Sequence, residues 1–225
     1  MATMFSGTSV APAVFETAPP LLPKDIALAI TALATALFLN HEPNLGSGRG
    51  RLVAVTSPTG GEGVTTITCL LALQLARNPT CRVLLASPAQ LEHMPTSDPV
   101  EVENLLRKNP VTGTWSFEAK PLRTTPVNNR WTTQVAFRRA LLDTLRDSFD
   151  YLLLDCPAVN ASADVTQLAM LVDGVLLVVS AGSSTQHQIS QAWQIIENSG
   201  GTLEGCCLNR QNSPTPHFIN RLLGR

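Results

Sequence analysis

Residues 56 to 66 read TSPTGGEGVTT, and in this segment glycine spacing points to phosphate chemistry. Gly60, Gly61 and Gly63 allow a turn tight enough for backbone N–H groups to converge, and a helix starting just after them would add the positive end of its dipole. The complete pattern for such a loop, G-x-x-x-x-G-K-[ST], also needs a Lys that reaches the terminal phosphates, followed by a hydroxyl for Mg²⁺. Here Gly63 is followed by Val64, while Thr65 and Thr66 supply hydroxyls. Asp155 follows the apolar run YLLL and could orient a magnesium ion together with Thr65. It reads equally well as a turn residue closing a strand before Cys156 and Pro157. Asn209 is a polar residue ending the last apolar run.

Other chemistries find less support. His41, His93, His187 and His217 share no ligand spacing, so a metal centre of the zinc type is not expected. G-x-S-x-G is absent, and with it the nucleophile elbow of a serine hydrolase. The five cysteines, Cys69, Cys81, Cys156, Cys206 and Cys207, are odd in number without C-x-x-C spacing, and read as reduced, buried thiols of a cytosolic protein. Trp193 is expected in the core and Trp115 at an interface, with Trp131 between them in sequence. Arg123, Arg130, Arg138 and Arg139 read as a solvated face.

A phosphate loop must sit between a strand and a helix. LVAV at Leu52 to Val55 precedes it, and ITCLLALQLA at Ile67 to Ala76 follows it. Further apolar runs occur at Val83 to Ala86, Tyr151 to Leu154, Val175 to Val179 and Leu203 to Leu208. Helical patterns cover Thr133 to Ser148, Asp164 to Leu171 and Thr185 to Ser199. Continuous rather than alternating apolar strands belong to sheets covered on both faces, so the predicted fold is α/β: a doubly wound, mostly parallel sheet in three layers. Ser87 to Arg130, with six prolines and little periodicity beyond a short helix near Val100 to Lys108, is expected to be an irregular insertion above the sheet. Residues 1–23 are expected to form a loosely attached arm, and 24–225 a single domain.

The 225 residues, 44% apolar and 15% charged, suffice for that core. Sixteen basic against seventeen acidic residues leave a net charge of -1, which disfavours nucleic acid as a partner. The apolar run Ile26 to Leu39 is shorter than the ~20 residues of a bilayer span, so a buried or partner-facing helix is expected there. No secretory signal is visible in the first twenty residues.

SPTGGEGVTT resembles the P-loop of bacterial tyrosine kinases of the polysaccharide co-polymerase type, usually SPTPGEGKST. FDYLLLDCPAV, Phe149 to Val159, resembles their Walker B segment YDYVIIDTPPV, and Leu171 to Arg210 resembles the strand, helix and strand that follow. MinD and ParA ATPases are more distant relations. The resemblance implies a P-loop NTPase-like fold and ATP or ADP with Mg²⁺ as ligand. It places Gly60, Gly61, Gly63, Val64, Thr65 and Thr66 around the phosphates, Thr65 and Asp155 at the metal, and Asn209 at the adenine edge.

The departures are specific. Val64 replaces the P-loop Lys, and the signature Lys of MinD and ParA relatives would fall at Thr59. Ser87 and Ala89 stand where the family's RVLLIDADLR strand carries two aspartates. Ala27, Ile30 and Leu33 occupy the Glu and Arg positions used for ring assembly, and the single tyrosine, Tyr151, leaves no tyrosine-cluster tail.

Loss of one charge-assisted phosphate contact costs about 1.5–3 kcal/mol, and loss of a donor to developing charge costs about 2.7–4 kcal/mol in the barrier. The expectation is a catalytically degenerate protein with weak or absent nucleotide binding and no catalytic residue assigned. By the resemblance it would act in exopolysaccharide or capsule assembly, docked on a membrane-embedded polysaccharide co-polymerase through its apolar first helix and its insertion. It would be cytoplasmic, reaching the inner membrane through that partner, with self-assembly left open. The alternatives are an active ATPase or kinase in which Arg49, Arg51, Arg82 or Arg210 replaces the Lys, and a MinD-like positioning ATPase. The latter lacks a visible basic amphipathic helix, since Pro216 to Arg225 is short and mildly basic.

Overall fold

The computed structural model describes residues 23–39, 49–92, 94, 96–117 and 134–210. Most of the predicted arm, the segments carrying Arg123, Arg130 and Trp131, and the terminal stretch from 211 lie outside them, as do His41, His93 and His217. Seven strands form one sheet in the order β3-β4-β2-β5-β1-β6-β7. Their ranges are β1 Arg51–Thr56, β2 Val83–Ala86, β3 Leu106–Lys108, β4 Trp115–Phe117, β5 Tyr151–Asp155, β6 Gly174–Ser180 and β7 Leu203–Asn209. All neighbours pair in parallel except β3 with β4.

Each central strand sends alternate residues to opposite faces, and both faces are covered. Leu52, Ala54, Leu152, Leu154, Val175 and Leu177 pack beneath α5 (Val135–Ser148), α6 (Asp164–Leu168) and α7 (Gln186–Asn198). Val53, Val55, Val83, Leu85, Leu153 and Leu176 meet α1 (Lys24–Ala34), its π-helical extension Thr35–Leu39, and α2 (Val64–Leu75) on the other face. The apolar runs of β1, β2, β5 and β6 are therefore strands buried on both sides, while β7 at the edge is part-exposed, and the doubly wound α/β fold is as expected. Thr185 begins α7 with a capping box, its side chain accepting from Gln188 N while the Gln188 side chain accepts from Thr185 N.

The segment after Ser87 differs from expectation. α4 (Pro99–Asn104) falls at the expected short helix, but in its described part the segment also forms α3 (Pro88–Glu92) and adds β3 and β4 to the sheet edge instead of lying irregularly above the sheet. Asp98 caps α4 through Val100 N and Glu101 N, with Pro99 preset for the first turn. The two strands have three residues each, too few for any period to be read.

The first helix and its extension bury one face within the protein and leave the other exposed. Ile30, Ala34, Leu37 and Phe38 are buried against α2 and the sheet, and the Phe38 ring meets Tyr151 edge-on at 5.5 Å. Ile30 is one of the three positions that would carry ring-assembly charges, and Leu33 packs beside it. Only Ile26 and Leu28 remain as exposed large apolar side chains of this helix. Trp193 is 45% exposed rather than in the core, being on the flank of α7 beside the buried Ala192 and Ile196. Cys206 is exposed because β7 is an edge strand, so only part of the thiol expectation holds. All five thiols are free. Trp115 packs on Phe149 beneath the Arg82 guanidinium.

Candidate functional site

Parallel pairing brings the carboxyl ends of β1, β5, β6 and β7 to one side of the sheet, where open α/β folds place their ligand sites. The glycine-rich turn leaves β1 there. Gly61 and Gly63 both have φ of +94°, in the region glycine favours, and these two positions bend the chain into α2. Gly63 is the N-cap of α2 and offers no side chain to the helix, so none of the first-turn N–H groups is capped by the N-cap residue. Gly60, Gly61 and Thr66 are exposed at this turn, while Val64 and Thr65 are half-buried in the first turn of α2.

Thr65 lies opposite Asp155. Its hydroxyl donates to Asp155 Oδ2 at 2.8 Å. Register sets this contact, because Asp155 pairs with Val55 near the end of β1, and Cys156 N donates to Val55 O at 2.9 Å. Burial raises the Asp155 pKa from its ordinary value, while the Thr65 hydrogen bond partly opposes the shift. Neighbouring Cys69 is pushed up to about 12 by burial and by the Asp155 charge, which makes it an inert thiol. A carboxylate and a hydroxyl suit Mg²⁺, which takes few protein ligands and completes its shell with water and phosphate. Among the described residues no group of three His, Cys, Asp or Glu could hold a metal ion without such help.

Asn209 is tied to the loop. Its Nδ2 donates to Glu62 O at 2.8 Å, and its Oδ1 accepts from Arg210 N at 2.8 Å. Glu62, which sequence reasoning passed over, is enclosed at 2% exposure although it carries the loop's charge. Its Oε1 accepts from Thr59 N at 3.2 Å, from the Thr59 hydroxyl, and from Ser184 Oγ at 3.5 Å. Its Oε2 is buried without a partner. The available signal was that Glu62 is the one charged residue in TSPTGGEGVTT.

The remaining predicted positions separate. Ser87, beyond β2, is buried and turned into its own bend, with its N–H donating to Gln90 Oε1 at 2.8 Å. Arg49 pairs with Asp143, Arg51 with Glu204 at 2.8 Å, and Arg82 with Glu103 at 3.4 Å. All three lie at the amino ends of β1 and β2, about 17 Å along the strand from the glycine turn. Arg210 alone of the four proposed substitutes follows the carboxyl end of a strand, β7, next to Asn209.

A mostly parallel sheet with a glycine turn after β1 and a carboxylate ending β5 defines a P-loop NTPase fold. In sequence the chain is similar to the tyrosine-protein kinase CpsD of Streptococcus agalactiae, 26% identical over 174 residues, which span 72% of this chain and 76% of that protein. The kinase domain of Escherichia coli tyrosine kinase ETK superposes with a TM-score of 0.62 at 18% identity, covering 84% of this chain and 79% of that one. MinD of Aquifex aeolicus shares the fold with a TM-score of 0.54 at 20% identity, over 78% of this chain and 73% of that one. So does cobyrinic acid a,c-diamide synthase of Mycobacterium smegmatis with bound ADP and magnesium, with a TM-score of 0.54 at 17% identity over 78% and 80% of the two chains. No family model matches. The chain is thus similar in sequence to CpsD tyrosine kinases and shares the wider P-loop fold. No described helix is long and apolar enough to cross a membrane.

Proposed function

We propose that this chain is a catalytically degenerate relative of the CpsD tyrosine kinases that acts as a regulatory or scaffold component of capsule or exopolysaccharide assembly, docked on a membrane-embedded polysaccharide co-polymerase from the cytoplasmic side. The observation that carries the proposal is Val64 as the first residue of α2, with the glycine turn intact and an aliphatic side chain where the phosphate cation belongs. Ser87 adds to it, because neither that hydroxyl nor Ala89 offers a carboxylate base after β2, and Ser87 is engaged with Gln90. Tyr151, the sole tyrosine, lies in β5 against Phe38 and is no substrate tail.

Thr65 and Asp155 are the residues that would hold a magnesium ion if a nucleotide came with it, and the ion would supply charge neutralisation at the phosphates. Gly60, Gly61, Gly63 and the first turn of α2 would contribute backbone donors, but a triphosphate held by neutral donors alone lacks the cation-to-phosphate ion pair that strengthens such binding most.

Titration of a fluorescent ATP analogue with Mg²⁺, followed by measurement of phosphate release, tests the proposal. Weak binding and no turnover are expected. Turnover that disappears in Asp155→Ala overturns it in favour of an active ATPase or kinase. Arg210 would then be the substitute cation, since it alone of the four candidates follows a carboxyl strand end, and Arg210→Ala should abolish the activity too.

A further inference from the structure

Glu62 is the one charged side chain of the loop from Thr56 to Thr66, and it is enclosed at 2% exposure. Its Oε1 takes the N–H and the hydroxyl of Thr59, two donors that belong to the loop itself, and Ser184 Oγ approaches it from the loop after β6. Its backbone carbonyl is held by Asn209 at the end of β7. The second oxygen, Oε2, is buried with no donor, and no Lys or Arg among the described residues forms an ion pair with Glu62.

We propose that Glu62 is a specificity-determining residue of the phosphate loop: an internal anion that shapes the turn and selects against polyphosphate ligands. This rests on the loop's having lost its cation. With Val64 beside Gly63, no cation in the loop offsets the carboxylate, and Glu62 directly precedes the N-cap of the helix whose first-turn N–H groups would face a phosphate. Two like charges in a partly enclosed site repel far more than in water, and the repulsion grows with the charge of the ligand. Inorganic phosphate should therefore be disfavoured less than pyrophosphate, and pyrophosphate less than a triphosphate.

The same geometry designates the variant. In Glu62→Gln the amide oxygen can keep the Thr59 contacts, while the amide nitrogen replaces an oxygen that accepts nothing, so no hydrogen bond is lost and the charge disappears.

The experiment is a calorimetric titration of the full chain and of Glu62→Gln with inorganic phosphate, pyrophosphate and a non-hydrolysable ATP analogue with Mg²⁺, with thermal melts alongside. Glu62→Gln is expected to bind the triphosphate about tenfold more tightly, with a smaller gain for pyrophosphate and the smallest for phosphate. Thr59→Val, which removes one donor and keeps the charge, should show no such gain. Tight triphosphate binding by the unmodified chain would overturn the underlying proposal of a degenerate loop. Weak binding by the unmodified chain with no gain in a folded Glu62→Gln overturns the role of Glu62 alone, as does a gain equal for all three ligands. Failure of both Glu62→Gln and Glu62→Ala to fold overturns it as well, because it would mean that the carboxylate charge is needed by the fold rather than tolerated in it.

Discussion

The Thr65 hydroxyl and Asp155 Oδ2 meet at 2.8 Å, joining the first turn of α2 to the end of β5. Burial raises the Asp155 pKa and the Thr65 contact restrains it. An acid whose pKa is higher folded than unfolded holds its proton more tightly in the folded state. Stability therefore falls as pH rises from the ordinary carboxylate range through the folded pKa, and the loss persists at neutral pH. Asp155→Asn, which keeps an acceptor for Thr65, should melt higher than the unmodified chain at pH 7.5 and converge with it in acid. Differential scanning calorimetry across pH 4–8 checks this, and a lower melting temperature at pH 7.5 would refute it.

Val64→Lys should restore the missing charge-assisted contact. The expected gain for the Mg²⁺-bound ATP analogue is about 1.5–3 kcal/mol, or roughly 10- to 150-fold in affinity. Phosphoryl transfer should stay undetectable in this variant, because Ser87 and Ala89 still provide no base. Fluorescence titration and a phosphate-release assay on the same preparation separate the two effects.

Gly63 should tolerate no side chain. Its φ is +94°, and a Cβ there would lie 2.5 Å from Asn209 Nδ2, an atom fixed by its bond to Glu62 O. Gly63→Ala is expected to cost about 1–3 kcal/mol from backbone strain. Asn209→Ala should cost about 1 kcal/mol through the lost hydrogen bond, and pairing it with Gly63→Ala should recover part of the latter's loss by removing the clash. Urea denaturation of the two single variants and the double variant reads the coupling.

Ile30 stands where the resemblance to bacterial tyrosine kinases would place a charged side chain, yet it is 5% exposed and packs with Ala34, Leu37 and Phe38. Ile30→Ala should destabilise the protein by about 2–5 kcal/mol. Ile30→Arg should be worse, since it buries a charge with no acidic partner available to the apolar cluster. Chemical denaturation reads both, and an Ile30→Arg variant of unchanged stability would show that this helix leaves the core.

The sheet was legible in particular residues. Val83 to Ala86 and Val175 to Val179 are short, apolar and rich in branched residues without alternation, the pattern of strands covered on both faces, and they form β2 and β6. Trp115–Phe117 and Leu106–Lys108 were not legible, since three residues hold no period and their pairing depends on where β2 ends. Trp193 misled for a related reason: an apolar side chain on an amphipathic helix is core or flank according to the helix's rotation, which packing sets.

For the site, the order of residues along the chain determined which chemistry was on offer: glycines that can turn a strand into a helix, hydroxyls after them, a carboxylate ending a later strand, and an aliphatic residue in place of Lys. Local patterns carry this because turn geometry and side-chain type are properties of a few adjacent residues. Only the tertiary structure decided which groups meet. It joined Thr65 to Asp155, laid Asn209 on the Glu62 carbonyl, enclosed the Glu62 carboxylate, and set Arg49, Arg51 and Arg82 at the opposite end of the sheet. Those contacts span up to 147 positions of sequence, and parallel register, which fixes them, is set by the packing of both faces at once.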